Sequence, residues 1–246
     1  KVYRVELENA TVLRARVIVP LSGSAAAQEN AALAAGQFQG ARIEPGESLS
    51  FNQTVGMRTE ESGYTAAEEP AYGQNIVGVG GGICQVSTAL YRLALLGGLE
   101  IAERSAAVYP VDYCEIGQEA AVSDQGLDLV LANNTDAPLF LVVRVYAEND
   151  GQTMEWQLIG KENESRFSLV SEVETIDAPE EPVYVRDSEG RYATYADERI
   201  PVSEARPGYR ATVSLVDENG ETVRVVSEDT YDAMAQIVYV GVQQRN

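Results

Sequence analysis

The most informative segment of this chain reads Gly80-Gly81-Gly82-Ile83-Cys84-Gln85-Val86-Ser87-Thr88. Its three glycines tolerate backbone angles that other residues rarely adopt, and an amphipathic pattern follows them at once. That pattern predicts a helix from Ile83 to Leu96, ended by Gly97-Gly98, with Cys84 in its first turn. The apolar positions that recur at helical spacing are Val86, Ala89, Leu90, Leu93 and Leu96.

The residues upstream of this helix predict a strand pair, a second helix and a short strand. Residues 1–19 alternate apolar and polar side chains, and we expect two strands that form either the end of a preceding region or an edge of the main domain. An alanine-rich stretch over 25–38, with Ser24 placed to cap it, predicts a helix. Residues 48–51 predict a short strand, and residues 64–82 are typical of a loop.

Downstream of the helix the pattern changes to strands. Residues 99–122 predict strands that are interrupted at Pro110 and Gly117. Turn-forming residues separate three further strands, which we expect at 127–132, 139–147 and 153–160.

The polar segment 161–165 marks the predicted boundary of the main domain, because Val, Thr and Tyr alternate beyond it as in an all-β module. We therefore predict an α+β fold in which the glycine-flanked helix packs on mainly antiparallel strands, followed by a small all-β module. The predicted domains are 1–19, 20–164 and 165–246.

Composition restricts the possible partners. The 246 residues carry 38 acidic and 18 basic side chains, which gives a formal net charge of −20. Because such a field repels polyanions, we expect neither nucleic acid nor an anionic membrane surface as a partner. The chain has no histidine, which excludes Ser-His, Cys-His and histidine-ligated metal chemistry. We expect no cofactor and no metal site, since Asp124, Asp128 and Asp136 lack the alternate-residue spacing of a Ca²⁺ loop.

The sequence also bears on membrane attachment. No stretch is apolar over the roughly 18–20 residues that a membrane helix needs, so we expect no direct membrane insertion of these residues. The first residues, Lys1-Val2-Tyr3-Arg4-Val5, begin within a strand-like pattern. We therefore expect an export signal, an anchor or a further domain upstream.

Cys84 is the residue whose chemistry most affects the functional interpretation. Unpaired N–H groups and the helix dipole at a helix start stabilise an anion, which lowers the pKa of a thiol there. Cysteine hydrolases place a histidine nearby to take the proton, and this chain has none. Three interpretations remain open: a structural cysteine, buried or bonded to Cys114; a reactive thiol; or a metal ligand. If the protein is an enzyme, Cys84 and Glu119 are the candidate catalytic residues.

Several segments resemble a known family. Residues 50–59, Gly63-Tyr64, residues 79–91 and residues 127–135 resemble the VanW-like family, and the match covers roughly residues 20–147. The resemblance implies a protein of the cell envelope of Gram-positive and related bacteria, sometimes beside glycopeptide-resistance functions, and it implies no defined reaction. Residues 167–241 resemble a divergent G-five module, a small β domain of bacterial surfaces that is suspected of binding peptidoglycan or amino sugars.

The chain departs from the VanW-like pattern after the helix. The family shows Arg-His-x-His where this chain has Arg104-Ser105-Ala106-Ala107, so both histidines are missing. The family shows Gly-Arg-Asp-Ala where this chain has Gly117-Gln118-Glu119-Ala120. Loss of a general base commonly costs orders of magnitude in rate, which favours a non-catalytic role. Cys114 stands where the family leads us to expect valine, and this favours a Cys84–Cys114 disulfide.

The sequence therefore predicts a non-catalytic extracytoplasmic protein that recognises peptidoglycan, a wall glycan or peptide, or another envelope protein. We expect it at the surface or in the wall of a bacterium, anchored to the membrane through an upstream segment. Two alternatives stay open: a cysteine-dependent acyl-transfer or peptidase enzyme, transglutaminase- or papain-like, that acts on wall peptides through Cys84; and a structural spacer or assembly domain of a surface protein.

The predicted ligand groove surrounds the start of the helix. Guanidinium groups could hold carboxylates of a peptide stem or form ordinary salt bridges with the many acids of the chain, and tyrosines at 64, 72, 109 and 113 could stack on sugar rings or serve core and surface packing. The predicted ligand-binding residues are Arg58, Tyr64, Gly81, Gly82, Cys84, Gln85, Ser87, Arg104 and Tyr113.

Overall fold

The computed structural model describes residues 12–71, 74–148, 151–161 and 166–245. These residues form mostly antiparallel β-sheet with few helices, which is consistent with the predicted α+β class. The helices are α1 (Ala25–Gly36), α2 (Phe51–Val55) and α3 (Cys84–Gly97), with a 3₁₀ turn at Glu60–Ser62. The strands are β1 (Val12–Pro20), β2 (Arg42–Ile43), β3 (Ser48–Ser50), β4 (Ala66–Ala71), β5 (Gln74–Val79), β6 (Glu100–Glu103), β7 (Val130–Ala132), β8 (Leu139–Glu148), β9 (Gly151–Gly160), β10 (Ser168–Ile176), β11 (Val183–Asp187), β12 (Arg199–Ser203), β13 (Gly208–Val216), β14 (Thr222–Tyr231) and β15 (Ile237–Gly241).

A four-stranded antiparallel sheet in the order β1-β9-β8-β2 carries the helices. Helix α3 packs on β1 and β9, and α1 packs on β8 and on α3. Alternate residues of β1, namely Ala15, Val17 and Val19, are buried on the helix side, as a half-buried strand requires. Phe38 lies between Trp156 and Phe51, with ring centroids 5.5 and 5.3 Å away. The predicted packing of the glycine-flanked helix on antiparallel strands is thus observed.

The end of α3 and the start of α1 follow from the sequence. Gly98 takes the left-handed conformation with φ +77° and ends the helix, as Gly97-Gly98 predicted. The guanidinium of Arg14 donates to the carbonyl oxygen of Gly97 at 3.0 and 3.3 Å, so a cation lies at the negative end of the helix dipole. Helix α1 begins after Ser24, whose hydroxyl accepts from the backbone N–H of Ala27 as predicted.

Two local predictions were wrong. The segment 64–82 is not a loop, because β4 and β5 pair antiparallel from Ala66 opposite Val79 to Ala71 opposite Gln74. Strand β4 has the sequence AAEEPA, which contains no β-branched residue and includes a proline, so strand propensity did not indicate that it pairs with β5. The strand predicted over 48–51 ends at Ser50, and Phe51 begins the short helix α2.

The strands predicted after the helix are largely present. Strands β7, β8 and β9 lie within or overlap the three predicted segments. Between residues 99 and 122 only β6 is a regular strand, with one isolated bridge between Ser105 and Ala121. The first run of the predicted strand pair, before residue 12, lies outside the described residues, and the second run is β1.

The chain forms two compact units, one of Lys1–Ser171 with Val213–Ser227 and one of Glu172–Thr212 with Glu228–Asn246. Over residues 166–245 the structure contains six strands and no helix, in agreement with the all-β pattern. In the second unit β15 pairs parallel with β11 and antiparallel with β12. The domain limits 1–19, 20–164 and 165–246 stay predictions. Within the described ranges, no helix has the length and apolar character needed to cross a bilayer.

A buried polar framework around the glycine-flanked helix

The glycine run before α3 passes through a space too narrow for side chains. Gly80 and Gly82 have φ values of +87° and +99°, which L-residues rarely adopt. A Cβ atom on Gly81 would lie 2.6 Å from the carbonyl oxygen of Ala67, and one on Gly82 would lie 2.5 Å from that of Ala27. Packing against β4 and α1 therefore requires glycine at 81 and 82, whether or not a ligand approaches them.

Two buried amides fix the loop and the first turn of α3. The side-chain nitrogen of Asn30 donates to the carbonyl oxygens of Thr65 at 2.9 Å and Gly81 at 3.0 Å, and its oxygen accepts from the N–H of Thr65. Gln85 closes a similar pair with Ser22, accepting from its N–H at 2.8 Å and donating to its carbonyl oxygen at 3.2 Å. Asn30 was not among the predicted site residues, although a polar residue within an alanine-rich helix was an available signal.

Cys84 is half-buried, and its sulfur forms no disulfide. Its Sγ donates to the carbonyl oxygen of Val122 at 3.6 Å, a contact that stabilises the protonated form. The N–H groups of Gln85 and Val86 already donate to carbonyls of the preceding turn, at 3.2 and 2.9 Å. These two amides are therefore not available to stabilise a thiolate.

Polar side chains of α3 hold the segment that follows β6. The hydroxyl of Ser87 donates to the carbonyl oxygen of Ala120 at 2.6 Å, and the hydroxyl of Thr88 accepts from the N–H of Ala120 at 3.1 Å. Ser87 is fully buried, so it serves the packing of the helix against this segment. Thr88 also hydrogen-bonds Tyr113, which is half-buried.

The predicted Cys84–Cys114 disulfide is absent, and this prediction was wrong. Neither cysteine forms a disulfide, and the sulfur of Cys84 donates a hydrogen bond to the carbonyl oxygen of Val122. Burial raises the pKa of the Cys114 thiol to about 12, and Glu119 contributes to the rise. Burial also raises the pKa of Tyr113 well above its usual value, and the nearby sulfurs of both cysteines raise it further. The surroundings of Cys114 thus favour a protonated thiol.

Glu119 and Arg104 form a buried pair that is used internally. One carboxylate oxygen of Glu119 accepts from the N–H of Ala107 at 3.3 Å and lies 3.6 Å from the guanidinium, and the other accepts from the N–H of Gly117 at 3.1 Å. Arg104 donates to the backbone oxygens of Glu119 and Gly117, and its guanidinium lies 5.3 Å from the ring centre of Tyr91. The pair therefore shapes the loop between β6 and residue 120.

Arg58 is likewise engaged in an internal network. Its guanidinium pairs with Asp124 and donates to the side-chain oxygen of Asn52 at 2.5 Å, over the ring of Phe51. Only 6% of its side chain is exposed. Tyr64 is 2% exposed, and burial is the main cause that raises its pKa. Both side chains are mostly inaccessible, and their assignment as ligand-binding residues stays a prediction.

The three aspartates considered for Ca²⁺ lie in different environments. Asp124 pairs with Arg58, whereas Asp128 accepts from the hydroxyl of Ser50 at 2.5 Å and the N–H of Asn52 at 2.9 Å, which fixes the start of α2. Asp136 forms an exposed pair with a lysine on the neighbouring loop. Across the ranges that the structure describes, no group of three potential metal ligands occurs.

The accessible part of this region is what we call the glycine-loop surface, formed by Met57, Val79, Gly82, Cys84 and Asp124. Its members adjoin residues that contact one another: the N–H of Arg58 donates to Asp124, a Cβ on Gly80 would lie 2.9 Å from the Cβ of Arg58, and the Cys84 sulfur donates to Val122. Met57 is 62% exposed and Val79 is 40% exposed, so the surface combines apolar side chains with a partly exposed carboxylate.

The remaining predicted groups are dispersed. Tyr109 is half-buried, and Tyr72 lies outside the described residues.

Two open cavities occur elsewhere, and none of the predicted ligand residues lines either of them. One, of about 480 Å³, is lined by residues 20–23, 28, 148 and 151–153. The other, of about 450 Å³, is lined by Tyr184, Val185, Arg186, Arg199 and Val240.

Comparison with known proteins identifies the family. Residues 26–157, more than half of the chain, match the family model described as VanW like protein. The chain belongs to the VanW-like family. This VanW-like chain is 36% identical over 125 residues to the uncharacterized protein YoaR of Bacillus subtilis, a match that covers 51% of the chain and 41% of YoaR. It is 28% identical over 180 residues to the vancomycin B-type resistance protein VanW of Enterococcus faecalis, covering 71% of the chain and 61% of that protein.

The aligned parts thus span between two fifths and about three fifths of these curated relatives. Among solved structures, the chain is similar to the crystal structure of HP0197-G5, with 14% identity and a TM-score of 0.13 over 31% of this chain. A likeness of that size carries no argument, and the G-five resemblance of residues 167–241 stays a prediction.

Proposed function

We propose that this VanW-like chain is a non-catalytic extracytoplasmic protein of the bacterial cell envelope that recognises peptidoglycan or a wall-associated partner. Membership in the family supports the envelope location, and so does the relative that is named for resistance to the glycopeptide vancomycin. The strongly acidic composition favours a neutral or cationic contact for the main domain.

The proposal that the protein is non-catalytic rests on the burial and the internal bonds of the Glu119 carboxylate. A cysteine-dependent acyl transfer needs a group that accepts the thiol proton, and the chain has no histidine for that purpose. Glu119 is the acid that the sequence offers instead, yet it is 1% exposed, and its two oxygens receive backbone N–H groups and the guanidinium of Arg104. Both oxygens of this carboxylate are therefore committed to the backbone of the loop and to Arg104.

We place the wall contact on the glycine-loop surface. Its apolar members, Met57 and Val79, are exposed beside a loop whose backbone is held rigid by Asn30 and Gln85. Rigid backbone beside exposed apolar side chains loses little entropy on binding a partner. Arg58 and Tyr64 then act as supports that position this surface.

Co-sedimentation with purified sacculi tests the proposal. We expect the wild-type chain to be retained above an inert acidic control protein, and the double variant Met57→Ser/Val79→Ser to be retained at least about threefold less. Leu13→Ser is the matched control, because Leu13 is 50% exposed on β1 and lies outside the glycine-loop surface. Retention of the wild type no better than the acidic protein would refute wall recognition.

The same sacculi test the enzyme alternative. Soluble peptide and glycan fragments released over hours are measured for the wild type and for Cys84→Ser. We expect no release from either protein. Release by the wild type that Cys84→Ser abolishes would show a cysteine-dependent reaction and would contradict the non-catalytic proposal.

A structural spacer or assembly role is the second candidate, and one observation favours it. Arg58, Tyr64, Gln85 and Ser87 were predicted to bind ligand, and all four are buried with internal partners. A spacer predicts no retention on sacculi together with unchanged behaviour of the Met57→Ser/Val79→Ser variant. The co-sedimentation experiment therefore separates the two candidates.

A further inference from the structure

Strand β8 has an open edge over its second half. Strand β2 pairs with β8 only at the first two residues of β8, and the backbone of Leu141 still bonds the chain just before β2. The N–H of Val143 then donates to the side-chain oxygen of Gln39 at 2.6 Å. Among the residues that the structure describes, no strand pairs with this side of β8 beyond that point, so residues 144–148 form an open strand edge.

Two residues of the β8 edge turn their backbone groups outward. N–H and C=O groups alternate between the two sides of a strand, and those of Leu141 point toward β2. The pairing of β8 with β9 runs from Phe140 to Glu148 without a register shift, so Val145 and Ala147 point the same way as Leu141. An edge of this kind is a template for a further strand.

The side chains along the β8 edge are complementary to a second copy of themselves. Arg144, Tyr146 and Glu148 are exposed and share one face of the sheet, opposite the face on which Val145 packs against the core. An antiparallel copy of β8 centred on Tyr146 places Arg144 opposite Glu148 of that copy. The same register places Val145 opposite Ala147 of the copy, and these two residues then exchange both of their outward N–H···O bonds.

We infer that two copies of this chain associate through the β8 edge as a twofold-symmetric dimer, in which Tyr146 meets its counterpart at the axis. Opposite charges and aromatic rings that lie directly across two paired strands stabilise the pairing. The axis repeats each contact, so both copies contribute the same surface and the contact closes on itself.

The opposite edge of the same sheet lacks this complementarity. Strand β1 lies at that edge in the described part of the chain, and its charged side chains are Arg14 and Arg16. An antiparallel copy of β1 centred between them would bring arginines opposite each other, and Pro20 has no N–H to donate. Charges of one sign and proline protect an edge against pairing, whereas the opposite charges of the β8 edge favour it.

The two charged groups of the β8 edge remain accessible to a second copy. Arg144 lies opposite Glu155 on β9, but that carboxylate is only 9% exposed and is already held by Arg16 at 2.8 Å. One oxygen of Glu148 accepts from the hydroxyl of Thr153 at 2.9 Å, which leaves the other oxygen for a cation. The formal net charge of −20 on each copy opposes association, but salt at about 0.15 M screens exposed charges beyond about 8 Å.

Sedimentation equilibrium of the full chain over a range of concentrations is the test. The edge is short, so we expect a dissociation constant in the micromolar to millimolar range and a limiting mass of twice 26.6 kDa. The β8 edge shares no residue with the glycine-loop surface, so this result does not depend on the proposed function.

Exchange of charges tests the register. Glu148→Arg places like charges opposite each other and should weaken the dimer at least about tenfold. Arg144→Glu/Glu148→Arg, which exchanges the two signs, should restore association to within about threefold of the wild type. Glu103→Arg is the matched control, because this exposed carboxylate on β6 belongs to another sheet and its reversal changes the net charge by the same amount. Emission of the buried Trp156 shows whether each variant is folded.

Cysteine cross-linking locates the axis. In a Cys84→Ser/Cys114→Ser variant, Tyr146→Cys should form a disulfide-linked dimer on mild oxidation, because the two residues at the axis have Cα atoms about 4.5 Å apart. Ile18→Cys is the control, since Ile18 is 46% exposed on the same face of the sheet but lies on β1, and it should stay unlinked.

Four results would overturn the inference. They are a mass of 26.6 kDa at every concentration, a dimer that Glu148→Arg does not weaken, a folded charge-exchange variant that does not associate, and equal cross-linking through residue 18.

Discussion

Substitution of Gly82 by alanine tests whether packing, and not a ligand, requires the glycine run. The new Cβ would lie 2.5 Å from the carbonyl oxygen of Ala27, a backbone atom that can move only with α1. Overpacking of this kind costs about 1–3 kcal/mol, and the φ of +99° adds about 1–3 kcal/mol of backbone strain. We therefore expect Gly82→Ala to lower the free energy of unfolding by about 2–6 kcal/mol.

Gly46→Ala is the matched control for the backbone term. Gly46 has a φ of +78°, and a Cβ there would meet nothing within 4 Å. Its replacement is expected to cost about 1–2 kcal/mol, which is the strain alone. The difference between the two variants then measures the close approach to α1.

Urea unfolding followed by tryptophan fluorescence is the appropriate assay. Trp156 is the only tryptophan of the chain and is fully buried in β9, so its emission reports on the unit that contains both glycines. The free energies follow from linear extrapolation with a common slope. If Gly82→Ala and Gly46→Ala agree within about 0.5 kcal/mol, the steric argument is wrong and the glycines need another explanation.

Three further predictions concern charge and protonation. Glu119→Ala should lower the free energy of unfolding by about 3–5 kcal/mol, because it leaves the buried guanidinium of Arg104 without its carboxylate. Glu44→Ala, which removes the surface pair with Arg42, is the control and should cost less than about 1 kcal/mol in the same assay. In a Cys84→Ser variant, Cys114 of the folded protein should react with iodoacetamide at pH 7.5 about 1,000-fold more slowly than in the urea-unfolded protein. A pKa of about 12 instead of 9 reduces the thiolate fraction by that factor. Equal rates in the two states would refute the burial of this thiol. Backbone N–H groups lower the pKa of Asp187, so the stability that this carboxylate contributes to the fold is present at neutral pH and is lost as the pH falls below about 4. The drop in Tm between pH 7 and pH 3 should therefore be smaller in Asp187→Asn than in the wild type. An equal drop would contradict this role of Asp187.

Local patterns explain which elements could be predicted. Helix α3 and its end at Gly98 follow from apolar spacing and from the left-handed angle that glycine tolerates, both of which are properties of a short segment. The pairing of β4 with β5 was not predicted because β4 contains no residue with high strand propensity. Asn30 was not predicted for a different reason: the carbonyl groups to which it donates belong to residues 35 and 51 positions away in the sequence.

The position of Cys84 at the helix start was predicted, the internal partners of its neighbours were not, and the ligand-binding assignments stay predictions. Sequence spacing placed Cys84 at the start of a helix after a glycine turn, and the structure agrees. It could not reveal that Arg58 and Glu119 are buried with partners that satisfy them, because Asp124 and Arg104 approach them only in the folded chain. The expected disulfide failed for a similar reason, since two cysteines in one sequence say nothing about the direction of either sulfur.

The sequence by itself determined the family, the glycine turn into α3, the all-β character of the last 80 described residues and the absence of an imidazole base. Only the tertiary structure decided that the arginines near the helix, Arg58 and Arg104, are buried in internal ion pairs. The reason is physical: backbone angles and side-chain periodicity are local, whereas burial and charge pairing depend on which distant segments meet.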